Sequence, residues 1–413
     1  MSALKGNGFA PHPGASGDAG QPAWSSPIVR LAPHPGASDD NRCRVMVVDD
    51  SSVVRGFIVR MLEWDPGIVV VASAANGRIA VDRLRRRRDI DVIVLDIEMP
   101  VMDGLSALAE LLQVDPSVQV LMASTLTLHN AEISLRALEA GAADYLPKPT
   151  ARQLSGDGEF RRELLAKVKE LAQVRQRRVQ ALGRTRSGDL QSAAADVRAR
   201  AGEPPLRTAA APAAAKVSLR PPSGCRIDVV AIGCSTGGPK ALAALLKALK
   251  PLAQPILITQ HMPPTFTTIL AEHIGRISGV PCAEAKSGEP LVGGRIYVAP
   301  GGHHLTVDGM RLRLSQDPPE NFCRPSVNPM LRSLARCFSC HALAVILTGM
   351  GADGLAGSRA LVEAGGLIIA QDQASSVVWG MPGAVATAGL CCAVEPLDRL
   401  SATITTLARV GRR

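Results

Sequence analysis

Two separate parts of this 413-residue chain alternate short apolar runs with helix-periodic stretches, and no other feature limits the fold as strongly, because that alternation builds parallel sheets. In the first part, apolar runs at residues 45–48, 68–72, 92–95, 118–123 and 145–146 are separated by helical stretches at 53–64, 79–84, 105–112 and 133–140. Five strands joined by helices predict a doubly wound α/β sheet, with its crevice at the carboxyl ends of the strands. A last helix is expected from Phe160 to Val174, with Leu164, Leu165, Val168 and Leu171 on one face, closing a domain of residues 43–178. The second alternation predicts another doubly wound domain over residues 226–413.

Between the two, residues 179–225 are rich in Ala, Arg, Ser and Pro without a persistent period, which predicts a flexible linker. Residues 1–42 carry Ala10-Pro11-His12-Pro13-Gly14-Ala15-Ser16 and the same heptapeptide again at 32–38. Such Pro/Gly repeats cannot supply a core and predict a disordered tail.

A hydrophobic share of 46% fills two cores, and aromatics at 3% make those cores aliphatic. No apolar run approaches the ~18 residues of a membrane span, and the N-terminus lacks a signal-peptide segment, so a cytoplasmic protein without membrane insertion is expected. Nine scattered cysteines in a reducing compartment are expected to be free thiols. The net charge of +9 is concentrated at Arg83, at Arg85, Arg86, Arg87 and Arg88, and in the stretch 175–200. Without interleaved aromatics these runs read as solvated faces or linkers, and no nucleic-acid partner is expected.

In the first domain the acidic residues fall at strand ends. Asp49 and Asp50 follow the first strand, Asp96 ends the third, Ser124 ends the fourth and Lys148 follows the fifth. Three carboxylates in one crevice repel one another unless a cation joins them, and hard oxygen ligands suit Mg2+. Asp96 beside such a cation and Lys148 is suited to accept a phosphoryl group, whose charge the two would neutralise.

In the second domain, Gly233-Cys234-Ser235-Thr236-Gly237 lies between an apolar run and a helix-forming stretch, the strand–turn–helix context of a nucleophile elbow. His261 follows the run 256–260, and Asp353 lies just beyond 343–351. Three strand ends share one crevice, so a serine nucleophile, a histidine base and an orienting aspartate could meet there. The backbone N–H of Thr236, at a helix start, is the first candidate for an oxyanion hole, and Gly349-Met350 the second.

The motifs Val-Val-Asp49-Asp50-Ser, Leu-Asp96-Ile-Glu-Met-Pro100-x-Met-Asp103-Gly104, Ser124 and Tyr145-x-x-Lys148-Pro149 resemble the receiver domain of bacterial response regulators. That resemblance implies a flavodoxin-like fold. It also implies Mg2+ held by Asp49, Asp50, Asp96 and the Glu98 carbonyl, phosphorylation of Asp96, and phosphoryl contacts from Ser124 and Lys148. The motifs Ile-Gly-x-Ser235-Thr-Gly-Gly-Pro, Gln260-His261-Met-Pro, Tyr-Val-Ala-Pro-Gly-x-His303, Arg324-Pro-Ser-Val327, Leu-Thr-Gly-Met350-Gly-x-Asp353-Gly and Gly380-Met381-Pro382 resemble the chemotaxis protein-glutamate methylesterase (CheB) family. This second resemblance implies a Rossmann-like catalytic domain with a Ser235–His261–Asp353 triad and no cofactor of its own. Its substrates would be methyl-accepting chemoreceptors, whose glutamate methyl esters it hydrolyses and whose glutamines it often deamidates. It further implies a receiver that covers the cleft until a chemotaxis histidine kinase phosphorylates it. Cys234 departs from the family pattern, where a small residue is usual.

Two rival patterns are present. Gly349-x-Gly351-x-x-Gly354 with Asp372 downstream imitates a dinucleotide fingerprint, although Asp353 inside the loop would repel a pyrophosphate. Cys337-Phe338-Ser339-Cys340-His341 has the spacing of a haem attachment site, which would require export. A response regulator with a nucleotide-binding or non-catalytic output domain is therefore the alternative.

Overall fold

Side-chain caps set where the first helices begin: Ser51, Asn76, Asp103 and Thr127 each accept a bond from the N–H three residues on. The computed structural model describes residues 42–125, 127–148, 158–199 and 217–409, so the heptapeptide repeat lies outside the described residues. The first domain runs β1 (Cys43–Val48), α1 (Ser52–Glu63), β2 (Ile68–Ala74), α2 (Gly77–Arg86), β3 (Val92–Asp96), α3 (Gly104–Val114), β4 (Gln119–Ser124), α4 (Leu128–Ala140), β5 (Asp144–Pro147) and α5 (Gly158–Ala199). Its strands pair in parallel in the order β2-β1-β3-β4-β5, the flavodoxin-like order. The winding reverses between β1 and β3, which puts Asp49, Asp50 and Asp96 at one crevice.

The second domain runs β6 (Val229–Cys234), α6 (Gly238–Ala248), β7 (Ile256–Gln260), α7 (Phe266–Ser278), β8 (Cys282–Glu284), β9 (Ile296–Val298), β10 (His304–Asp308), β11 (Arg311–Ser315), α8 (Val327–Phe338), β12 (Ala342–Ile346), α9 (Leu355–Glu363), β13 (Leu367–Gln371), α10 (Met381–Thr387), β14 (Ala393–Glu395) and α11 (Leu397–Arg409). Seven strands form a parallel sheet, β14-β13-β12-β6-β7-β9-β8. Here the winding reverses between β6 and β12. Strands β10 and β11 stand apart as an antiparallel hairpin that the alternation did not foretell.

Three expectations need correction. Helix α5 continues through the first part of the expected linker to Ala199, because the segment lacks proline and is rich in Ala, Arg, Gln and Leu, which propagate a helix without an apolar face. Arg175 at the head of the basic stretch is no solvated residue; its guanidinium lies 2.9 Å from Asp91 and 3.1 Å from Asp115. The cysteines are not all free, since Cys225 is bonded to Cys340. Their approach follows from the sheet: β6 pairs with β12, and Asp228, just before β6, donates its N–H to the His341 carbonyl just before β12. The end of the expected linker thus belongs to the second domain, where the Arg220 N–H also bonds the Cys391 carbonyl.

Edge strand β5 and helix α4 of the first domain lie against the second. Tyr145 stacks on Phe266 at 4.7 Å, and Glu139 pairs with His273 at 2.8 Å. Among the described residues no helix is long and apolar enough to cross a membrane.

Candidate active site

In the first crevice, carboxylate oxygens of Asp49, Asp50 and Asp96 all lie within 4.8 Å of one another. Asp49 and Asp96 are buried and Asp50 is exposed, so the cluster opens to solvent on one side. Lys148 bridges the buried pair, with Nζ 2.9 Å from Asp49 and 2.7 Å from Asp96. Burial drives the Asp96 carboxyl up to about 6, the Asp49 charge adds to that, and Lys148 only partly opposes it. Ser124 lies on the neighbouring strand, its carbonyl accepting the Lys148 N–H at 2.6 Å and its hydroxyl donating to the Thr125 carbonyl. The Glu98 N–H points toward Asp96 at 3.4 Å. Every residue predicted for this site is therefore in or beside the crevice.

The second crevice is built by three adjoining strands, β7, β6 and β12. Register pairs Cys234 with Gln260, so Ser235 and His261 are the next residues out on neighbouring strand ends. The glycines flanking Ser235 each have a separate reason: a side chain at Gly233 would strike Val327, while Gly237 takes the left-handed φ of 75° at the start of α6. A side chain at Gly349 would strike Met381 and Ser235. That close approach, rather than a pyrophosphate, accounts for the first glycine of the dinucleotide-like pattern. Asp372 caps a turn through Ser375, and Cys340 is taken by its disulfide.

His261 Nε2 lies 2.7 Å from Asp353 Oδ2. Asp353 also accepts from Ser326 Oγ at 2.7 Å, the Val327 N–H at 2.7 Å, the Gly354 N–H at 2.9 Å and Asn321 Nδ2 at 3.1 Å. Burial pushes its carboxyl up, but the His261 bond and charge and these donors outweigh it and hold the group at about 2. Burial likewise disfavours the imidazolium of His261, yet the Cys323 sulfur and Asp353 carry that ring above its ordinary value. Among the described residues no hydrogen bond joins Ser235 to His261. The free ring nitrogen, Nδ1, instead faces Cys323 Sγ at 3.3 Å.

Among the described residues the backbone N–H groups of Thr236 and Met350 have no acceptor. The Thr236 hydroxyl donates across the domain boundary to Asp144 of β5 at 2.7 Å, and Lys167 holds that carboxylate at 3.0 Å. Asp144, Asn321 and Cys323 were absent from the sequence reading. Asp144 reads there as an ordinary strand residue, and the other two as loop residues before Arg324-Pro325.

A sheet of receiver order crowned by an acidic crevice, coupled to a second sheet with serine, histidine and aspartate at adjoining strand ends, defines a response regulator with an α/β output domain. Family models match in the same places: the response regulator receiver domain over residues 45–155 and the CheB methylesterase over residues 230–404. The protein-glutamate methylesterase/protein-glutamine glutaminase of group 2 operon of Rhodospirillum centenum is 56% identical over 377 residues, 88% of this chain and 94% of that protein. Protein-glutamate methylesterase/protein-glutamine glutaminase 1 of Paramagnetospirillum magneticum is 51% identical over 390 residues, 88% of this chain and 96% of that one. The enzyme so named from Azospirillum brasilense is 55% identical over 366 residues, 86% of this chain and 90% of its own. The chain belongs to the protein-glutamate methylesterase/protein-glutamine glutaminase family.

Proposed function

We propose that this protein hydrolyses glutamate methyl esters on chemoreceptors, releasing methanol, and deamidates receptor glutamines, under the control of phosphorylation at Asp96. The observation that supports the reading is the His261–Asp353 bond of 2.7 Å beside Ser235, with Ser235 and His261 each one residue beyond the paired ends of β6 and β7. In the reaction, Ser235 Oγ attacks the ester carbonyl while His261 Nδ1 takes its proton. Asp353 fixes the ring through Nε2 and stabilises its cation. The N–H groups of Thr236 and Met350 receive the developing oxyanion. His261 then returns the proton to the departing methanol, and water activated by the same ring releases glutamate. An amide follows the same course with ammonia leaving.

The acidic crevice fits a hard divalent cation, since its donors are carboxylate oxygens converging on one point. Asp49, Asp50 and Asp96, with the Glu98 carbonyl, would hold Mg2+, which neutralises phosphoryl charge when bound. Ser124 and Lys148 are placed to contact the phosphoryl group. The donor is a chemotaxis histidine kinase, the setting is the cytoplasm, and no nucleic acid takes part. The contacts of Tyr145, Asp144 and Glu139 with the catalytic domain support a receiver that restrains the cleft until Asp96 is phosphorylated.

The test is methanol release from methylated receptor membranes, with and without a small-molecule phosphodonor. Wild type releases methanol and is stimulated, Ser235→Ala releases none, and Asp96→Asn keeps the basal rate without stimulation. Release by Ser235→Ala at the wild-type rate would remove the serine from its role.

A further inference from the structure

Residues 320–323 form a tight reversal in which the Glu320 and Cys323 backbones exchange hydrogen bonds of 3.2 and 2.9 Å. Asn321 and Phe322 between them both lie in the left-handed region, at φ 53° and 62°. Two such residues in succession are the signature of a type I′ turn, and asparagine tolerates that conformation far better than phenylalanine. Strain of this kind persists where the surroundings over-determine it, and functional sites are where it gathers. Here the turn delivers two side chains to one pair of partners. Asn321 Nδ2 donates to Asp353 Oδ1, and Cys323 Sγ reaches His261 Nδ1 at 3.3 Å.

The imidazole has two nitrogens, and Asp353 occupies Nε2. With a proton on Nε2 directed at the carboxylate, Nδ1 carries the lone pair that Ser235 needs, and the thiol is the group now donating to it. A thiol is a weak donor, so a serine hydroxyl arriving on the same lone pair displaces it at small cost. Until then the sulfur keeps the ring from swinging out of the plane in which proton transfer occurs.

We propose that Cys323 is a positioning residue for the esterase reaction, its sulfur holding the Nδ1 edge of the His261 ring for Ser235 while the same turn steadies Asp353 through Asn321. The inference rests on the functional reading of Ser235 and His261 given above. The titratable and charged groups facing the ring are Asp353 and Cys323; Asp144 faces Thr236, and Arg162 of α5 lies over Phe322 at 4.9 Å. Removing the sulfur takes away the group in contact with Nδ1 and so shifts the ring's titration midpoint.

Full-length wild type, Cys323→Ala and Cys323→Ser are compared in two ways: methanol-release kinetics across pH, and NMR titration of the His261 ring nitrogens. Cys323→Ala is expected to lower kcat about tenfold with KM within about twofold, a loss of positioning rather than of binding. Its acid limb of kcat/KM moves together with the ring titration. Cys323→Ser, which keeps a small donor, recovers kcat to within about threefold of wild type. An unmoved ring titration in Cys323→Ala overturns the proposal, whatever the rates, because a packing role alone leaves the imidazole unchanged. The titration needs no turnover, so a chain that releases no methanol fails the functional reading while the NMR result still decides the role of Cys323.

Discussion

Asp96 ends a strand and Asp353 lies on the loop that follows one, each in a parallel-sheet domain and each almost wholly buried, at 2% and 1% exposure. Their carboxyls nevertheless move in opposite directions, Asp96 up to about 6 and Asp353 down to about 2. Burial pushes both carboxyls up, so it cannot explain the opposite directions. The difference lies in the donors. Asp353 is met by an imidazole, a hydroxyl, a side-chain amide and two close backbone N–H groups, whereas Asp96 shares one lysine with the rival carboxylate Asp49. A carboxylate saturated with donors is a fixed part, suited to hold another group still. One left short of positive charge is a receptive part, ready for a cation or a phosphoryl group.

The largest break in this contrast should come from Asp353→Asn, which keeps the shape but exchanges an acceptor for a donor toward His261. We expect kcat for methanol release to fall by about 10³- to 10⁴-fold, as loss of a triad orienter does. A fall of less than tenfold would mean the saturated network is structural only. Acid comes next. The folded carboxyl of Asp353 titrates below its unfolded value, so its contribution to stability is complete above pH ~4 and disappears as pH falls through about 2. The amount is about 2 kcal/mol, measured by urea unfolding of the catalytic domain within the full chain and compared with Asp353→Asn, whose profile should be flatter over that window. The smallest effect sharpens the other side. Mg2+ at ten times its Kd should stabilise the receiver by about 1.4 kcal/mol in thermal unfolding, and Asp49→Asn should lose most of that gain. Equal stabilisation of both proteins would place the cation elsewhere.

Both crevices were legible in the sequence because parallel sheets carry their chemistry where an apolar run ends. Asp49, Asp96, Ser124, Ser235 and His261 each stand directly at such a point, and the spacing of the runs is enough to bring them together. Asp353 lay further along its loop, yet it follows the same strand. What could not be read lies where no run or period leads. Asn321 and Cys323 sit on a turn between the hairpin β10–β11 and α8, and only the folded chain shows that this turn arches over His261. The Cys225–Cys340 bond was hidden for a similar reason, since it depends on β12 pairing with β6 rather than on any local spacing. Helix α5 outran its apolar face because residue preferences alone continued it.

Strand β5 is only four residues long, from Asp144 to Pro147, a span of ~13 Å. Asp144 at its head grips Thr236 beside Ser235, and Lys148 at its foot straddles Asp49 and Asp96. A strand hydrogen-bonded along its length to β4 does not stretch. It behaves as a strut, so a displacement of the lysine at one end is carried to the aspartate's grip on Thr236 at the other through four residues of backbone.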